Sequence, residues 1–522
     1  MQESKLLSLL AKNSRTKFGR EHRFSEIKTF KDFQRAVPLC SYTELAPYLD
    51  DIKYGSEAVL TAERVERLHL TSGTGGINKL LPFTPSLRSE FFAGIGPWLM
   101  DLSKRFPDAM SGPSHWVVSP PCAPPFHGAS AVPIGFDDDA SYLPRCLHEV
   151  MSESSVVPKA VGQISDKEEF YYLTGLFLAQ RRELSFLSMW SPSYLTLVLE
   201  SLIRNRERLL EDLHNGACVY VGEKERREEI VIQKSVARAR ELEKALPQEL
   251  DSIAGSNWSA VWPRLSLISC WSDGWSRRGA ERLTSMFPAA TLQGKGLLAT
   301  EGFITLPYGD DTAPVLSICS HVFEFLIPET GEVNLAHELA EGAEYEVVIT
   351  TAGGLYRYRL QDLVRCEGFL QKTPRLRFLG RSGVVSDLCG EKLDGLLVEQ
   401  SIDSILLRNH LSSEVAFIAP IAAENLPCYG FYLDSNETLD DTRVAKDLDL
   451  ALRESYYYDQ CRRAGQLGPL TVKRLSAEQC ARYLTHRRGN QRESTVKSRA
   501  LELSSDWDNF FGSRSRFPHP SL

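Results

Sequence analysis

Three short stretches of this 522-residue chain carry residue types whose spacing could act on a phosphorylated ligand. In Thr71-Ser72-Gly73-Thr74-Gly75-Gly76-Ile77-Asn78-Lys79 the glycines let backbone N–H groups close on an anionic phosphate, the hydroxyls add donors and the lysine adds charge. Two better-defined phosphate loops are excluded by spacing. A Walker loop needs Gly in place of Asn78 and Ser or Thr in place of Leu80, and a dinucleotide fingerprint needs a third Gly at Asn78. In Gly294-Lys295-Gly296-Leu297-Leu298-Ala299-Thr300-Glu301-Gly302 a carboxylate stands among glycines at the end of a strand-like run. Such a place suits Mg²⁺, which takes one or two carboxylates and completes its shell with phosphates and water. Asp362 closes the run Tyr356 to Leu360, where a carboxylate can accept both hydroxyls of a ribose. Each stretch also has a purely structural counterpart: an ordinary Gly/Thr turn, a surface acid or helix cap, and a strand-end turn residue.

The elements that would position these groups can be read from hydrophobic periodicity. Leu6 to Tyr54 reads as a helical lead-in that ends in the amphipathic run Tyr42 to Leu49, and Val65 to Leu70 reads as a strand feeding the first glycine loop. Frequent Pro and Gly between 112 and 160 predict long surface loops that line a cleft and touch substrate. Leu195, Val198, Leu199, Leu202, Ile203, Leu209, Leu210 and Leu213 predict one amphipathic helix stopped at Asn215-Gly216, and Glu223 to Glu243 a solvated helix face. Apolar runs at Leu265 to Cys270, Thr291-Leu292 and Val315 to Cys319 alternate with helix-like segments such as Ser276 to Met286. The fold class expected is α/β. Glu346 to Leu360 reads as two strands joined at Gly353-Gly354, with Tyr356 and Tyr358 on one face and Arg357 and Arg359 on the other. Beyond Gly380-Arg381-Ser382-Gly383 the texture changes. A helix from about Glu391, apolar runs at Val415 to Ile421 and Cys428 to Leu433, a helix at about Thr442 to Glu454 and a strand at Leu470 to Lys473 predict a small α+β unit. The expected domains are 1–383 and 384–522.

The order of the three stretches along the chain resembles that of the adenylate-forming enzymes, and more closely the Gretchen Hagen 3 family of acyl acid amido synthetases, of the bacterial kind. The first loop resembles the family's Ser-Gly-Thr phosphate motif, Ala299-Thr300-Glu301-Gly302 its second motif, and Leu355-Tyr356-Arg357-Tyr358-Arg359-Leu360-Gln361-Asp362 its third. Further text that is similar to the family includes Phe18-Gly19, Val37-Pro38, Trp262-Pro263, Ser269 to Gly274, Ser386 to Lys392 and Arg462 to Pro469, so the resemblance spans nearly the whole chain. It implies a large adenylation domain and a smaller mobile lid, ATP as substrate with Mg²⁺, and an acyl group passed from AMP to an amine, such as that of an amino acid. By the same resemblance Ser72, Gly73, Thr74 and Gly75 hold phosphates, Glu301 holds Mg²⁺, Thr300 and Tyr356 belong to the nucleotide site, and Asp362 binds ribose. Arg381 falls at the hinge, Lys392 could reach the α-phosphate, and Lys497 would visit the site during adenylation, its plain alternative being a solvated surface lysine. Two departures stand out. Gln361 occupies a place where Gly is usual, and the loop lacks the second Thr of Ser-Gly-Thr-Thr-Gly. The lead-in is also shorter than the family's, as though a first helix were lost.

Composition narrows the remaining classes. The net charge of −8 comes from 60 basic and 68 acidic residues without a long basic block, which gives no footprint for nucleic acid. Eleven scattered cysteines with no Cys-x-x-Cys pair read as reduced cytosolic thiols, and eleven dispersed histidines argue against a transition-metal site. No run approaches the roughly 18 apolar residues that cross a bilayer. A soluble cytoplasmic enzyme without membrane partners, monomeric or weakly dimeric, is expected. The alternatives are an acyl-CoA ligase, which shares the adenylation step, and a catalytically silent nucleotide- or acyl-binding regulator.

Overall fold

Apolar residues at helical spacing shape the start of the chain into the helices Gln2–Asn13, Lys17–Glu21, Phe30–Ala36 and Tyr42–Lys53. The last two open with capping boxes, Thr29 with Asp32 and Ser41 with Glu44, which supply acceptors to backbone N–H groups that a first turn leaves unmet. The computed structural model describes residues 1–71, 79–116, 130–134, 154–164, 166–221, 228–249, 253, 255–273, 276–309, 313–381, 383–386, 388–389, 391–409, 411, 413–421, 427–435, 440–463, 467–488 and 499–512. Contacts divide the chain into two compact units between Phe378 and Leu379.

The larger unit contains two main sheets. Strands Ser114–Trp116, Phe186–Ser188, Leu267–Cys270 and Thr291–Gly294 lie side by side in that order, all parallel, with Trp116, Ser188, Ser269 and Gln293 in one row. Helices Lys167–Gln180, Pro192–Arg204, Arg206–Asn215, Val236–Ala245 and Ser276–Met286 contribute Leu176, Leu199, Leu213, Leu242 and Leu283 to one core with Leu187 and Ile268 of these strands. The second sheet has seven strands in the order Thr305–Leu306, Val315–Leu316, Thr373–Arg381, Tyr358–Leu370, Glu344–Thr350, Val322–Leu326 and Val333–Leu335. Its core takes in the lead-in helices through Leu6, Phe33 and Leu45. The helix Pro85–Arg105, capped by the Thr84 hydroxyl and started by proline, bridges the two sheets: Phe91, Trp98 and Leu102 share a core with Phe186 and Leu267 on one side and Phe303 and Leu306 on the other.

The smaller unit pairs Ala416–Ile421 antiparallel and Thr471–Arg474 parallel with the central strand Cys428–Leu433. Phe417, Tyr432, Tyr483 and Trp507 form its aromatic core. The architecture is therefore mixed α/β, with a large N-terminal and a smaller C-terminal unit. No helix among the described residues is long and apolar enough to cross a membrane.

Five local expectations are corrected. The single helix over Leu195 to Leu213 is two helices, because Asn205 leaves the helical region (φ −106°, ψ 26°) and its side-chain amide donates to Ser201 O at 3.0 Å. The apolar stripe runs on through the break, and the stop at Gly216 (φ 77°) stands. Glu223 to Glu243 is not one helix: Glu228–Ile232 is a strand paired with Ala217–Val221, with Ile230 and Ile232 buried around exposed Val231, and the helix begins only at Val236. The helix expected from Glu391 begins at Gly395, capped by Asp394 Oδ1, while Leu393 sits in a short strand. The loops expected over 112–160 are interrupted by Ser114–Trp116, a strand of the parallel sheet, and residues 117–129 and 135–153 lie outside the described residues. The fifth correction, at Tyr356 to Arg359, belongs to the site.

Candidate functional site

Leu298–Ala299 and Gly302–Phe303 pair antiparallel with Ala299 opposite Gly302, so Thr300 and Glu301 are the two residues of a tight turn. Glu301 is neither a surface acid nor a helix cap, for it is only 6% exposed. Among the described residues its carboxylate has no hydrogen bond and no ion pair. A carboxylate at this depth is costly in its charged form, and a hard cation is the partner that removes the cost. The residues present fit Mg²⁺.

The turn is fastened from behind by groups that no local pattern reveals. Phe303 N–H donates to His321 Nε2 at 2.9 Å, which assigns the ring proton to Nδ1, and Nδ1 stands 2.9 Å from Glu90 Oε2. The same Oε2 accepts from Ala352 N–H at 2.8 Å, and Oε1 pairs with Lys5 Nζ at 3.1 Å. His321 and Glu90 are buried. Burial alone would raise the Glu90 carboxyl, but the hydrogen bond from His321 Nδ1–H, the Lys5 ammonium and the Ala352 N–H outweigh it and hold the group below the usual carboxylate range. Gly302 has to be glycine for a packing reason: a Cβ there would lie 2.9 Å from His321 Nε2. One carboxylate on the helix Pro85–Arg105 thus ties the Thr300-Glu301 turn to the Thr351–Gly354 turn that leads into the third stretch.

In that stretch the expected alternation fails. The strand Glu344–Thr350 ends before the turn, the next strand starts only at Tyr358, and Arg357 has φ 47°. Tyr356 is fully buried, its hydroxyl donating to Leu60 O at 2.8 Å and its ring stacked on Phe18 with centroids 4.9 Å apart. Arg357 points into the protein, where Nε meets Glu324 at 3.0 Å and Nη1 donates to Val37 O at 2.8 Å; Arg359 makes a two-pronged pair with Glu346 at 2.8 and 2.7 Å. Past this point three residues of one strand (Leu360, Gln361 and Asp362, between paired Arg359 and Leu363) oppose the single Val347 of the other (between Val348 and Glu346), a bulge with Gln361 at φ 62°. Asp362 lies in the bulge, 1% exposed. The glycine expected at 361 would fit this left-handed backbone, and glutamine occupies it instead.

The first loop is entered from Arg67–Thr71 and left through Lys79–Phe83, antiparallel strands with Thr71 opposite Lys79. Lys79 Nζ lies 3.3 Å from the Tyr358 hydroxyl, at the start of the third stretch's strand. Ser72, Gly73, Thr74 and Gly75 lie outside the described residues, as does Lys497. In the smaller unit Arg381 ends the strand Thr373–Arg381, and Lys392 is exposed with φ 43°. Its neighbour Glu391 is fully buried and accepts from Leu388 N–H and Cys389 N–H, each at 2.8 Å, and from the Tyr429 hydroxyl. A ligand atom of Glu391 and the thiols of Cys389 and Cys461 lie within 4.8 Å of one another, a spatial cluster that sequence spacing does not disclose. Burial first, and then Glu391, push the Cys389 thiol up to about 12.

Comparison with known proteins gives a consistent picture. The profile of the GH3 family N-terminal domain matches residues 1–292 and that of the GH3 family central domain residues 315–381. Among similar proteins, the indole-3-acetic acid-amido synthetase GH3.15 of Arabidopsis thaliana is 23% identical over 521 residues, covering 91% of this chain and 85% of its own. The indole-3-acetic acid-amido synthetase GH3.8 of Oryza sativa subsp. indica is 25% identical over 516 residues, covering 91% and 83%. The structure of AtGH3.15 acyl acid amido synthetase in complex with 2,4-DB superposes with a TM-score of 0.78 at 18% identity, over 98% of this chain and 92% of the other. A 2-hydroxyisobutyryl-CoA ligase in the postadenylation state shares the fold at a TM-score of 0.55 and 11% identity, over 97% and 90%.

Proposed function

This chain belongs to the GH3 family, and we propose that it works as an acyl acid amido synthetase, adenylating a small carboxylic acid with ATP and passing the acyl group to an amine, such as that of an amino acid. The observation that carries the reading is the likeness to amido synthetases along nearly the whole chain, 91% of it in the alignment with the Arabidopsis relative. An amine cannot displace oxygen from a carboxylate until that oxygen becomes a leaving group. Transfer to AMP with loss of pyrophosphate supplies one, and what the protein contributes is positioning and charge stabilisation.

In this reading Ser72, Gly73, Thr74 and Gly75 cradle the phosphates, Thr300 touches the nucleotide and Asp362 accepts from the ribose hydroxyls. Glu301 holds Mg²⁺, which would offset phosphate charge when bound; the buried carboxylate without a partner supports that role. Tyr356 acts from behind the nucleotide site by pinning the turn through Leu60 and Phe18. Residues 1–383 form the adenylation domain and 384–522 a lid that hinges at Arg381 and carries Lys392 and Lys497, both candidates for contact with the α-phosphate. The enzyme would act in the cytoplasm as a monomer or weak homodimer, without nucleic acid or membrane partners. The acyl-CoA ligase alternative has only the shared fold in its favour. The test is a carboxylic acid panel scored for pyrophosphate release, repeated with pooled amino acids and with coenzyme A. Acid-dependent release with AMP turnover stimulated by amino acids is expected; stimulation by coenzyme A alone would overturn the amide assignment.

A further inference from the structure

Three groups of the smaller unit that the adenylation chemistry leaves unused converge on one point. Cys389 and Glu391 lie in the Ser386 to Lys392 stretch and Cys461 in the helix Tyr456–Arg463, and one ligand atom of each stands within 4.8 Å of the others. Cys461 Sγ also lies 3.7 Å from Cys389 O, so the two segments touch across 72 positions. Glu391 and Cys461 are buried, whereas Cys389 is half-buried and gives the point a way to solvent.

The carboxylate is held as a metal ligand has to be held. Oε1 accepts from Leu388 N–H and from the Tyr429 hydroxyl, and Ser386 Oγ stands 2.7 Å from that hydroxyl. Oε2 takes one backbone bond, from Cys389 N–H, and keeps a lone pair for a further partner. Among the described residues no Lys, Arg or His forms an ion pair with Glu391. A fully buried carboxylate that faces two thiols without a cation favours a divalent ion that takes the place of the thiol protons. Sulfur donors disfavour Mg²⁺ and Ca²⁺, and two sulfurs with a carboxylate oxygen suit Zn²⁺. Bonds of about 2.0–2.3 Å in a tetrahedron set ligand atoms roughly 3.3–3.8 Å apart, so shifts of about 1 Å close the three groups on the ion.

The geometry points to a Zn²⁺ site formed by Cys389 Sγ, Cys461 Sγ and one oxygen of Glu391, with water in the fourth position on the half-exposed Cys389 side. Binding exchanges the two thiol protons, which pass to the buffer, for two sulfur–zinc bonds, and no electron is transferred. The bound ion fastens the stretch that carries Lys392 to the helix Tyr456–Arg463. The site uses no histidine, so the scatter of histidines along the chain does not bear on it, and it is distinct from the Mg²⁺ position at Glu301.

The test is a titration of the reduced, chelator-treated full chain with Co²⁺ as a visible stand-in, followed by Zn²⁺. Stoichiometric Co²⁺ should give a near-ultraviolet thiolate-to-cobalt band and the intense visible bands of a four-coordinate ion; Zn²⁺ should bleach both, and a large excess of Mg²⁺ should not. Cys389→Ser and Cys461→Ser should each weaken Zn²⁺ binding more than about 100-fold in competition with a chromophoric chelator, because a lost ligand costs more than the 10–100-fold typical of a lost outer partner. Tyr429→Phe keeps all three ligands and removes such an outer partner, so about 10–100-fold is expected. Cys428→Ser, at another half-buried thiol of the same unit, should bind like the parent. If the ligand variants do not fold, the parent spectrum decides alone. Absence of the thiolate band in the parent would overturn the site, as would a band that survives in both Cys389→Ser and Cys461→Ser. A Cys389–Cys461 disulfide that peptide mapping finds in reducing buffer would overturn it as well. Neither ATP nor acid enters the titration, so its outcome is independent of the synthetase reading.

Discussion

Replacing Glu90 should show whether one buried carboxylate holds two site turns together. In Glu90→Leu the donors that now reach Oε2, His321 Nδ1–H at 2.9 Å and Ala352 N–H at 2.8 Å, stay buried and lose their acceptor. Each such loss costs about 1–3 kcal/mol, and the Lys5 pair, on a side chain 27% exposed, adds at most about 1 kcal/mol. Added apolar contact offsets part of this, leaving a destabilisation of about 2–5 kcal/mol. Glu90→Gln keeps an oxygen for both donors and removes only the charge, so about 1–2 kcal/mol is expected. The assay is urea unfolding followed by tryptophan fluorescence, with His321→Leu and the double variant completing a cycle. Because Leu at 321 removes one of the two orphaned donors, the double variant should fall short of the sum by about 1–3 kcal/mol. The carboxyl is held below its ordinary value of 4.5, so its contribution is fully present above that pH and is lost as the pH falls through the lowered value. Glu90→Gln should flatten that part of the acid profile. A Glu90→Leu protein within about 0.5 kcal/mol of the parent, or strict additivity in the cycle, would refute the relay.

Glu301→Gln keeps the shape of the turn but removes the charge, and should shift the Mg²⁺ titration of pyrophosphate release to higher concentration; an unchanged titration would mean the metal is held elsewhere. Asp362→Ala should raise the ATP KM by at least about tenfold through loss of charge-assisted bonds to ribose, and unchanged nucleotide affinity in a folded variant would remove Asp362 from the site. Lys497→Ala should slow adenylation about 10²–10³-fold while sparing amide formation from a presynthesised acyl-adenylate; equal loss of both steps would point to a general structural role. His115 is kept neutral by complete burial, with a pKa lowered from 6.5 to about 3, so folding stability should fall as the pH drops below 6.5. His115→Gln should make that slope shallower by up to about 1.4 kcal/mol per pH unit, measured by denaturation between pH 6 and 4.

What the sequence disclosed was local chemistry. Thr300-Glu301 and Asp362 could be singled out because glycines, carboxylates and strand ends are legible within nine or ten residues, and the structure adds that both acids are buried. The helical lead-in and the strands Leu267–Cys270 and Thr291–Gly294 were legible for the same reason, whereas Ser114–Trp116 and Phe186–Ser188 of the same sheet were not. Glu90 could not be found this way: it meets His321 across 231 positions and Ala352 across 262, and an acid on an amphipathic helix looks like any other. The row Ser188, Ser269 and Gln293 is invisible for a related reason, since register between parallel strands is set by tertiary packing and not by residues near in sequence. Composition also misled at Glu228–Ile232, where charged residues around Ile230 and Ile232 concealed a period of two.

The backbone explains why the third stretch resisted periodic reading. Among the described residues six non-glycine residues have positive φ, and three of them, Arg357, Gln361 and Lys392, fall in stretches marked by the family resemblance. Each such conformation costs on the order of 1–3 kcal/mol and persists only where the surroundings over-determine it. For Arg357 the surroundings are visible, in the Glu324 pair, the Val37 carbonyl and the Thr350 hydroxyl that accepts its backbone N–H at 2.9 Å. These contacts turn the chain so that Tyr356 and Arg357 both point inward, which strict alternation forbids. Gln361 then repeats the left-handed step inside the bulge, displacing Asp362 from the regular ladder. A regular strand would have set residues 356 to 362 alternately on two faces. The two left-handed steps instead free Asp362 from that alternation, and the same strain that defeats sequence reading leaves its carboxylate buried within the bulge.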